Sequence, residues 1–289
     1  MRMGLVGLGR MGGGMAQRLR AAGHEVVGYT RSGEHADVGS LRELAEALSP
    51  PRVVWTMIPA GDPTEKAITE LADLLEAGDI VVDGANSNYH DSIRRGASLA
   101  ERGFGFVDAG VSGGVWGPDN GYCLMVGGTD EHIGHLRPLF DTLAPSGGFV
   151  HAGPVGAGHF TKMVHNGIEY GLMQSYAEGY ELLGASELGI DVAGAMAAWR
   201  YGSVVRSWLL ELLVAAIADD PDLDGLRGYA EDSGEGRWTV QEAVRLGVPV
   251  PAISSALYAR FVSRKDDSPA MKVIAALRNA FGGHEVRRD

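Results

Sequence analysis

The sequence is poor in cysteine, poor in positive charge and without a long apolar run. Cys123 is the single cysteine among 289 residues, so no disulfide can form within the chain. That fits a reducing compartment, and the lone thiol is expected to be a small, buried, apolar residue. Lysine and arginine number 25 against 37 aspartates and glutamates, a formal net charge of −12. Clustered cations of the kind a phosphate backbone requires are therefore not expected, and neither is a nucleic-acid partner. No apolar stretch reaches the ~20 residues that span a bilayer. A strand pattern, "MRMGLVGLG", begins at the first residue, with no signal peptide ahead of it. These readings lead to the expectation of a cytoplasmic protein with no membrane partner. Cys, His and acidic residues nowhere show metal-ligand spacing, so no metal is expected.

What is present is a globular composition, 45% hydrophobic and 21% charged. Its length suits one large or two ordinary domains. In the first half, short apolar runs alternate with helical stretches. Strands are expected at 3–8, 25–30, 52–57, 79–84, 104–109, 122–127 and 148–152. Helical patterns such as "GGGMAQRLRAAG" and "TEKAITELADLLEAG" lie between them, with Gly23 and Gly78 placed for left-handed turns after the helices. Alternation of this kind predicts a mainly parallel, doubly wound sheet covered on both faces, an α/β fold of Rossmann type. From about Gly156 the pattern becomes helical, with helices expected over 157–187, 191–201, 206–218, 239–247, 251–264 and 268–281. The reading is an α/β domain over 1–153 followed by an all-α domain over 154–289, with "HAGPVGAG" as a hinge between them.

Gly7-Leu8-Gly9-Arg10-Met11-Gly12 fits G-x-G-x-x-G after the first strand and at the start of the first helix. In that context the pattern points to a dinucleotide site. Gly7 allows the tight turn, Gly9 lets the backbone approach a pyrophosphate, and Gly12 lets helix and strand pack closely. The helix N-terminus supplies N–H groups to the phosphates. The second strand ends in Thr30-Arg31-Ser32, without the acid that usually receives the ribose hydroxyl of NAD. Arg31 and Ser32 suit a 2′-phosphate, so NADP is expected, with NAD as the alternative and the nearby Glu34 as a complication.

The stretch "HFTKMVHNGIEYGL" places Lys162, Asn166, Glu169 and Tyr170 on one helical face, with His165 beside them. Val164, Ile168 and Leu172 fall on the other side. Lys162 and Glu169 stand about 10 Å apart along the axis. A wet polar face is the ordinary explanation of such a set. Glycine-rich and apolar flanks weigh against it, as does the pairing of a possible base with a possible acid. So does the helix's start at the end of the nucleotide domain, where an interdomain cleft is expected.

Across its whole length the chain resembles the 6-phosphogluconate dehydrogenases, in their short form, within the β-hydroxyacid dehydrogenase superfamily. "FTKMVHNGIEYGLMQSYAEGYELL" is similar to the family's signature helix and "GLGRMG" to its cofactor loop. "DGANSNY" and "DAGVSGGVWGPDNG" are similar to its substrate loops, and "GEGRWT" and "ALRNAFGGH" to later segments. The resemblance implies oxidation and decarboxylation of 6-phosphogluconate to ribulose 5-phosphate in the pentose phosphate pathway. It implies Lys162 as base at the C3 hydroxyl, a role that needs a neutral amine. Lys162 and Asn166 would then hold the ketone oxygen, and Glu169 would protonate C1 of the five-carbon enediol to give ribulose 5-phosphate. Asn86, Ser112, Gly113, Gly114 and His165 would bind substrate, Asn86 also lying by the cofactor. Tyr170, Arg260, Arg278 and His284 would bind the phosphate. One departure is Ser233, where long family members carry a lysine; a charge-assisted phosphate contact is missing there. Arg237 matches a different family position.

The resemblance also implies a homodimer, or a dimer of dimers, whose C-terminal tails interleave and bring Arg278 and His284 to the neighbouring chain's phosphate. Two other functions remain open on the sequence. A β-hydroxyacid dehydrogenase without decarboxylation would need Lys162 and Asn166 but not Glu169. A non-catalytic nucleotide-sensing protein would need no acid–base pair.

Overall fold

The computed structural model describes residues 1–287. Seven strands form one sheet: β1 (Arg2–Val6), β2 (Glu25–Tyr29), β3 (Val53–Thr56), β4 (Ile80–Asp83), β5 (Gly105–Ser112), β6 (Cys123–Gly127) and β7 (Phe149–Gly153). Their order is β2-β1-β3-β4-β5-β6-β7. Every pairing is parallel except β5 with β6, where Ser112 lies opposite Cys123. The exception has a simple cause: only residues 113–122 link these strands, and a parallel crossover requires a dozen or more.

The helices α1 (Arg10–Ala21), α2 (Leu41–Glu46), α3 (Asp62–Leu74), α4 (Tyr89–Glu101), α5 (Gly117–Asn120) and α6 (Asp130–Leu143) connect the strands. Alternating side chains separate two cores on opposite faces of the sheet. Leu5, Trp55, Val82 and Val107 join Met15, Leu19 and Phe140 in one. Val6, Val54, Val81 and Phe106 join Leu44, Leu71 and Leu99 in the other. All four residues of β3 and of β4 are buried, which explains their unbroken apolar runs. Gly23 and Gly78 adopt φ of +86° and +95° in the turns after α1 and α3. Cys123 corrects one expectation: it is exposed. It is the first residue of β6 and points away from the face that takes Tyr122 and Leu124 into the core.

The rest of the chain is helical: α7 (Ala157–Gly184), α8 (Val192–Trp199), α9 (Trp208–Asp219), α10 (Glu235–Leu246), α11 (Pro251–Ser263) and α12 (Pro269–Gly282). Asp191, Ser207 and Ser268 cap α8, α9 and α12 by accepting N–H bonds from Gly194, Leu210 and Met271. The chain divides into two compact units, the first ending at Asn166 and the second beginning at Gly167, so the division falls inside the continuous α7. In the helical unit, small cores form around Tyr170, Ala256 and Leu257, and around Met196, Leu210 and Val214. Among the described residues no helix is long and apolar enough to cross a membrane.

Candidate active site

The glycine loop follows β1 and opens α1. Gly7 has φ +96°, and a Cβ there would strike the Met57 carbonyl. A Cβ on Gly12 would strike the carbonyl of Gly7, so both glycines are required by close packing. Gly9 is different: a Cβ there would meet nothing within 4 Å. Gly9 is also the N-cap of α1 and offers no side-chain cap to the helix's first N–H groups. Open space beside uncapped N–H groups fits a pyrophosphate. Leu8 and Met11 pack against the core, so their backbones and not their side chains face that space, while Arg10 is exposed.

After β2, Arg31 and Ser32 sit exposed in a turn, where Ser32 Oγ accepts from Glu34 N at 3.4 Å. The Glu34 carboxylate lies 3.7 Å from His35. Asp37 folds back on the sheet edge, accepting from Gly28 N at 2.6 Å and from Arg20 at 2.5 Å.

Asn86 is exposed on the loop between β4 and α4. Buried Asp83 fixes that loop. Its carboxylate accepts from Ala85 N at 3.1 Å, Ser87 Oγ at 2.9 Å and Arg95 Nη1 at 2.9 Å. Arg95 in turn donates to Glu65 at 2.8 Å. Ser112 ends β5, and Gly113 and Gly114 follow with φ +132° and +57°. Gly114 has open space where a Cβ would stand.

The first half of α7 is held against the sheet by a buried carboxylate and three glycines. Asp108 on β5 accepts from Gly156 N at 2.6 Å and from His159 N at 2.7 Å. Both N–H groups belong to the helix start, which would otherwise be unsatisfied. Burial pushes the Asp108 carboxyl up; the neighbouring His159 and the two backbone N–H bonds oppose this. A Cβ on Gly158 would come within 2.5 Å of the Asp108 carbonyl and 2.7 Å of Gly127 N. A Cβ on Gly110 would collide with the Lys162 side chain. The segment expected to be a hinge is thus tied down on its helical side, because helix and sheet backbones touch through residues without side chains.

This approach sets Lys162. It is buried, and its Nζ donates to Asn166 Oδ1 at 2.7 Å. His165 Nδ1 lies 2.9 Å from the same oxygen, and His165 Nε2 lies 3.4 Å from Ser112 Oγ. Lys162 and His165 thus converge on one Asn166 oxygen. Lysine, asparagine, histidine and serine therefore form one chain of hydrogen bonds ending at the glycine turn. Away from Lys162 the helix shows apolar residues: Ile168 and Leu172 are 53% and 43% exposed, against 5% for Lys162. The polar face is turned inward, the reverse of a solvated helix.

Glu169 and Tyr170 come next on α7, in the helical unit. Glu169 is half-buried. Tyr170 is buried, and its hydroxyl accepts from Ser233 N at 3.1 Å. The Arg260 guanidinium lies 3.4 Å over the Tyr170 ring. A Cβ on Gly236 would come within 2.6 Å of that ring. Arg278 and His284 share the end of α12, where His284 N donates to the Arg278 carbonyl at 3.4 Å, and both side chains are exposed. Asp108, Gly110, Gly127 and Gly158 did not figure among the expected site residues. Asp108 begins "DAGVSGG", but its task is set by a helix start some fifty residues later.

A mostly parallel dinucleotide-binding sheet with an open glycine loop, joined to a helix that buries a lysine, has the build of a nicotinamide-dependent dehydrogenase. Comparison with known proteins narrows this. Residues 2–153 match the NAD binding domain of 6-phosphogluconate dehydrogenase, and residues 158–276 match the 6-phosphogluconate dehydrogenase C-terminal domain. The chain belongs to the 6-phosphogluconate dehydrogenase family. It is 41% identical over 299 residues to an NAD(+)-dependent, decarboxylating 6-phosphogluconate dehydrogenase of Haloferax volcanii, covering all of this chain and 99% of that one. It is similar to the structure of the Plasmodium falciparum 6-phosphogluconate dehydrogenase, whose cofactor is NADP+ and whose substrate is 6-phosphogluconate. The TM-score is 0.83 at 28% identity, over the whole of this chain but 66% of that longer one. A 3-hydroxyisobutyrate dehydrogenase of Mycobacterium tuberculosis is also similar, with a TM-score of 0.72 at 26% identity over 96% of this chain and 99% of that one.

Proposed function

We propose that this protein oxidises and decarboxylates 6-phosphogluconate to ribulose 5-phosphate and carbon dioxide, as a cytoplasmic enzyme of the pentose phosphate pathway. The observation that carries this reading is buried Lys162 with its Nζ 2.7 Å from Asn166 Oδ1 on an inward-facing polar helix. Residues 1–153 serve as the dinucleotide-binding domain and residues 154–289 as the substrate-binding and dimerisation domain. The glycine loop of Gly7, Gly9 and Gly12 would hold the dinucleotide, which would supply a hydride acceptor for C3 of the substrate.

Lys162 takes the proton of the C3 hydroxyl, a role that requires a neutral amine. Once protonated, Lys162 holds the C3 ketone oxygen together with Asn166, stabilising the negative charge that appears as the carboxylate leaves. Glu169 then delivers a proton to C1 of the enediol. His165 holds substrate hydroxyls. Ser112, Gly113 and Gly114 offer hydroxyl and N–H donors to the carboxylate, and Asn86 lies between substrate and cofactor. Tyr170 and Arg260 receive the phosphate.

Arg278 and His284 of the partner subunit complete that phosphate site in an interleaved homodimer. Met271, Val273 and Leu277, all exposed along α12, are apolar residues that a second copy would cover. NADP is the expected cofactor through Arg31 and Ser32, with NAD as the alternative; the ratio of kcat/KM for the two decides. The enzyme should reduce cofactor only when 6-phosphogluconate is supplied, and Glu169→Gln should slow C1 protonation more than single-turnover cofactor reduction. Equal loss in both steps removes Glu169 from the role of acid. A sister dehydrogenase without decarboxylation would form a stable keto acid and release no carbon dioxide.

A further inference from the structure

In a chain of net charge −12, one stretch of the helical unit gathers arginines. The segment that leads into α10 is fastened along α11. Ala230 donates its N–H to Ser263 Oγ at 3.0 Å, and Arg260 Nη1 donates to the Glu231 carbonyl at 2.8 Å. Arg264 Nη1 lies 2.8 Å from Asp232 Oδ1. Arg237, in the first turn of α10, grips the same carboxylate through Nε at 2.5 Å and Nη2 at 3.1 Å. Arg237 and Arg264 also lie 4.7 Å and 5.1 Å over the ring of Phe261. Tyr170, under Arg260, binds the N–H of Ser233. Arg237 and Arg264 therefore share the Asp232 carboxylate, while Arg260 binds the Glu231 backbone carbonyl and the Tyr170 ring.

The hydrogen bonds of Arg237, then of Arg264, hold Asp232 below the usual carboxylate range, so it remains ionised at neutral pH. The two arginines on Asp232 are not equivalent. Arg237 commits two nitrogens and is 50% exposed; Arg264 commits one and is 23% exposed. A guanidinium carries five N–H donors in a planar fork, a shape that matches a phosphate. Arg264 is thus sheltered, oriented by Asp232, and equipped with further donors.

We propose that Arg264 is a specificity-determining residue that, with Arg260, receives the dianionic phosphate-monoester end of the substrate. This rests on the function proposed above, which places that phosphate beside Tyr170 and Arg260. It supplies the charge-assisted contact that the neutral hydroxyl of Ser233 cannot make.

The test compares wild type, Arg264→Ala and Arg264→Lys in the full-length enzyme, with 6-phosphogluconate, unphosphorylated gluconate and inorganic phosphate. For Arg264→Ala, kcat/KM on 6-phosphogluconate should fall about tenfold to a hundredfold, mainly through KM, as expected for losing a hydrogen bond to a charged group. Competitive inhibition by inorganic phosphate should weaken by a similar factor, and turnover of gluconate should fall far less. Arg264→Lys, which keeps the charge but not the fork, should recover part of the loss. Equal losses on both substrates, or an unchanged KM for 6-phosphogluconate, would overturn the proposal. Calorimetric titration with inorganic phosphate separates it from the substrate assignment. Phosphate binding lost in Arg264→Ala, with no wild-type turnover of 6-phosphogluconate, would keep the arginine's role and reject the substrate. Wild-type turnover with unaltered phosphate binding in the variant would reject the arginine.

Discussion

The sheet unit hides its apolar residues; the helical unit displays many of its own. Trp55, Phe140, Leu136 and Tyr122 are fully buried in the first, whereas Val204, Leu188, Val244 and Leu182 are at least 75% exposed in the second. The first unit has what an independent domain needs, two cores on one sheet. The second has clusters of three buried residues each and an apolar exterior. The lesson is that one unit holds a precise backbone approach, and the other carries apolar residues at its surface.

The sharpest way to break this contrast is at Lys162, whose burial depends on that approach. Lys162→Ala should lower kcat by about 10²–10⁴, the range for a general acid–base group, with cofactor affinity nearly intact. A loss below tenfold would take Lys162 out of the chemistry.

The same substitution at two glycines of α7 should have opposite signs. Gly158→Ala places a Cβ against backbone atoms of Asp108 and Gly127, which cannot yield as a side chain can. It should cost about 1–3 kcal/mol in denaturant unfolding, as overpacking does. Gly171→Ala meets nothing within 4 Å in the helical unit. It should stabilise by about 0.5–1 kcal/mol through helix propensity alone. Equal effects would mean that the sheet unit is not closely packed at α7.

If the exposed apolar residues of α12 are covered by a second copy, Tm should rise with protein concentration by a few degrees per hundredfold, as mass action requires. A Tm independent of concentration would leave those residues without an explanation.

The smallest effect belongs to Glu65, which anchors Arg94 and Arg95 on α4. The hydrogen bond from Arg94, then that from Arg95, depresses its carboxyl from 4.5 to about 2. A depressed acid stabilises the fold above its unfolded pKa and loses that contribution as pH falls through the folded value. The stability difference between wild type and Glu65→Gln should therefore be full above about pH 4.5 and vanish toward pH 2. Because Glu65 is 39% exposed, the difference should stay below about 1 kcal/mol. A difference that grows on acidification would reverse the assignment.

Much of this architecture could be read from the residues. All seven strands follow from short apolar runs, and each helix of the second half follows from its spacing, though Glu235 begins α10 four residues before the expected start. The shared face of Lys162 and Asn166 is plain helical geometry. What spacing could not reveal is which way that face turns. The inward direction depends on Gly110 and Gly127 of the sheet, which let α7 approach, and on Asp108, which holds its start. Cys123 departs from expectation for a related reason: strand alternation gives the face, but not whether the end of a strand is covered. Asp232 and Arg264 lie thirty-two residues apart and look like ordinary surface charges until α11 brings them together.

Decarboxylation is the claim that most needs a direct test, since a 3-hydroxyisobutyrate dehydrogenase shares the fold. The direct measurement uses 6-phosphogluconate labelled with carbon-13 at C1, with NADP or NAD, following reduced cofactor and labelled carbon dioxide in the same sample. The account predicts one labelled carbon dioxide for each cofactor reduced, with the label absent from the pentose product. Cofactor reduction with the label retained in a six-carbon keto acid would contradict it.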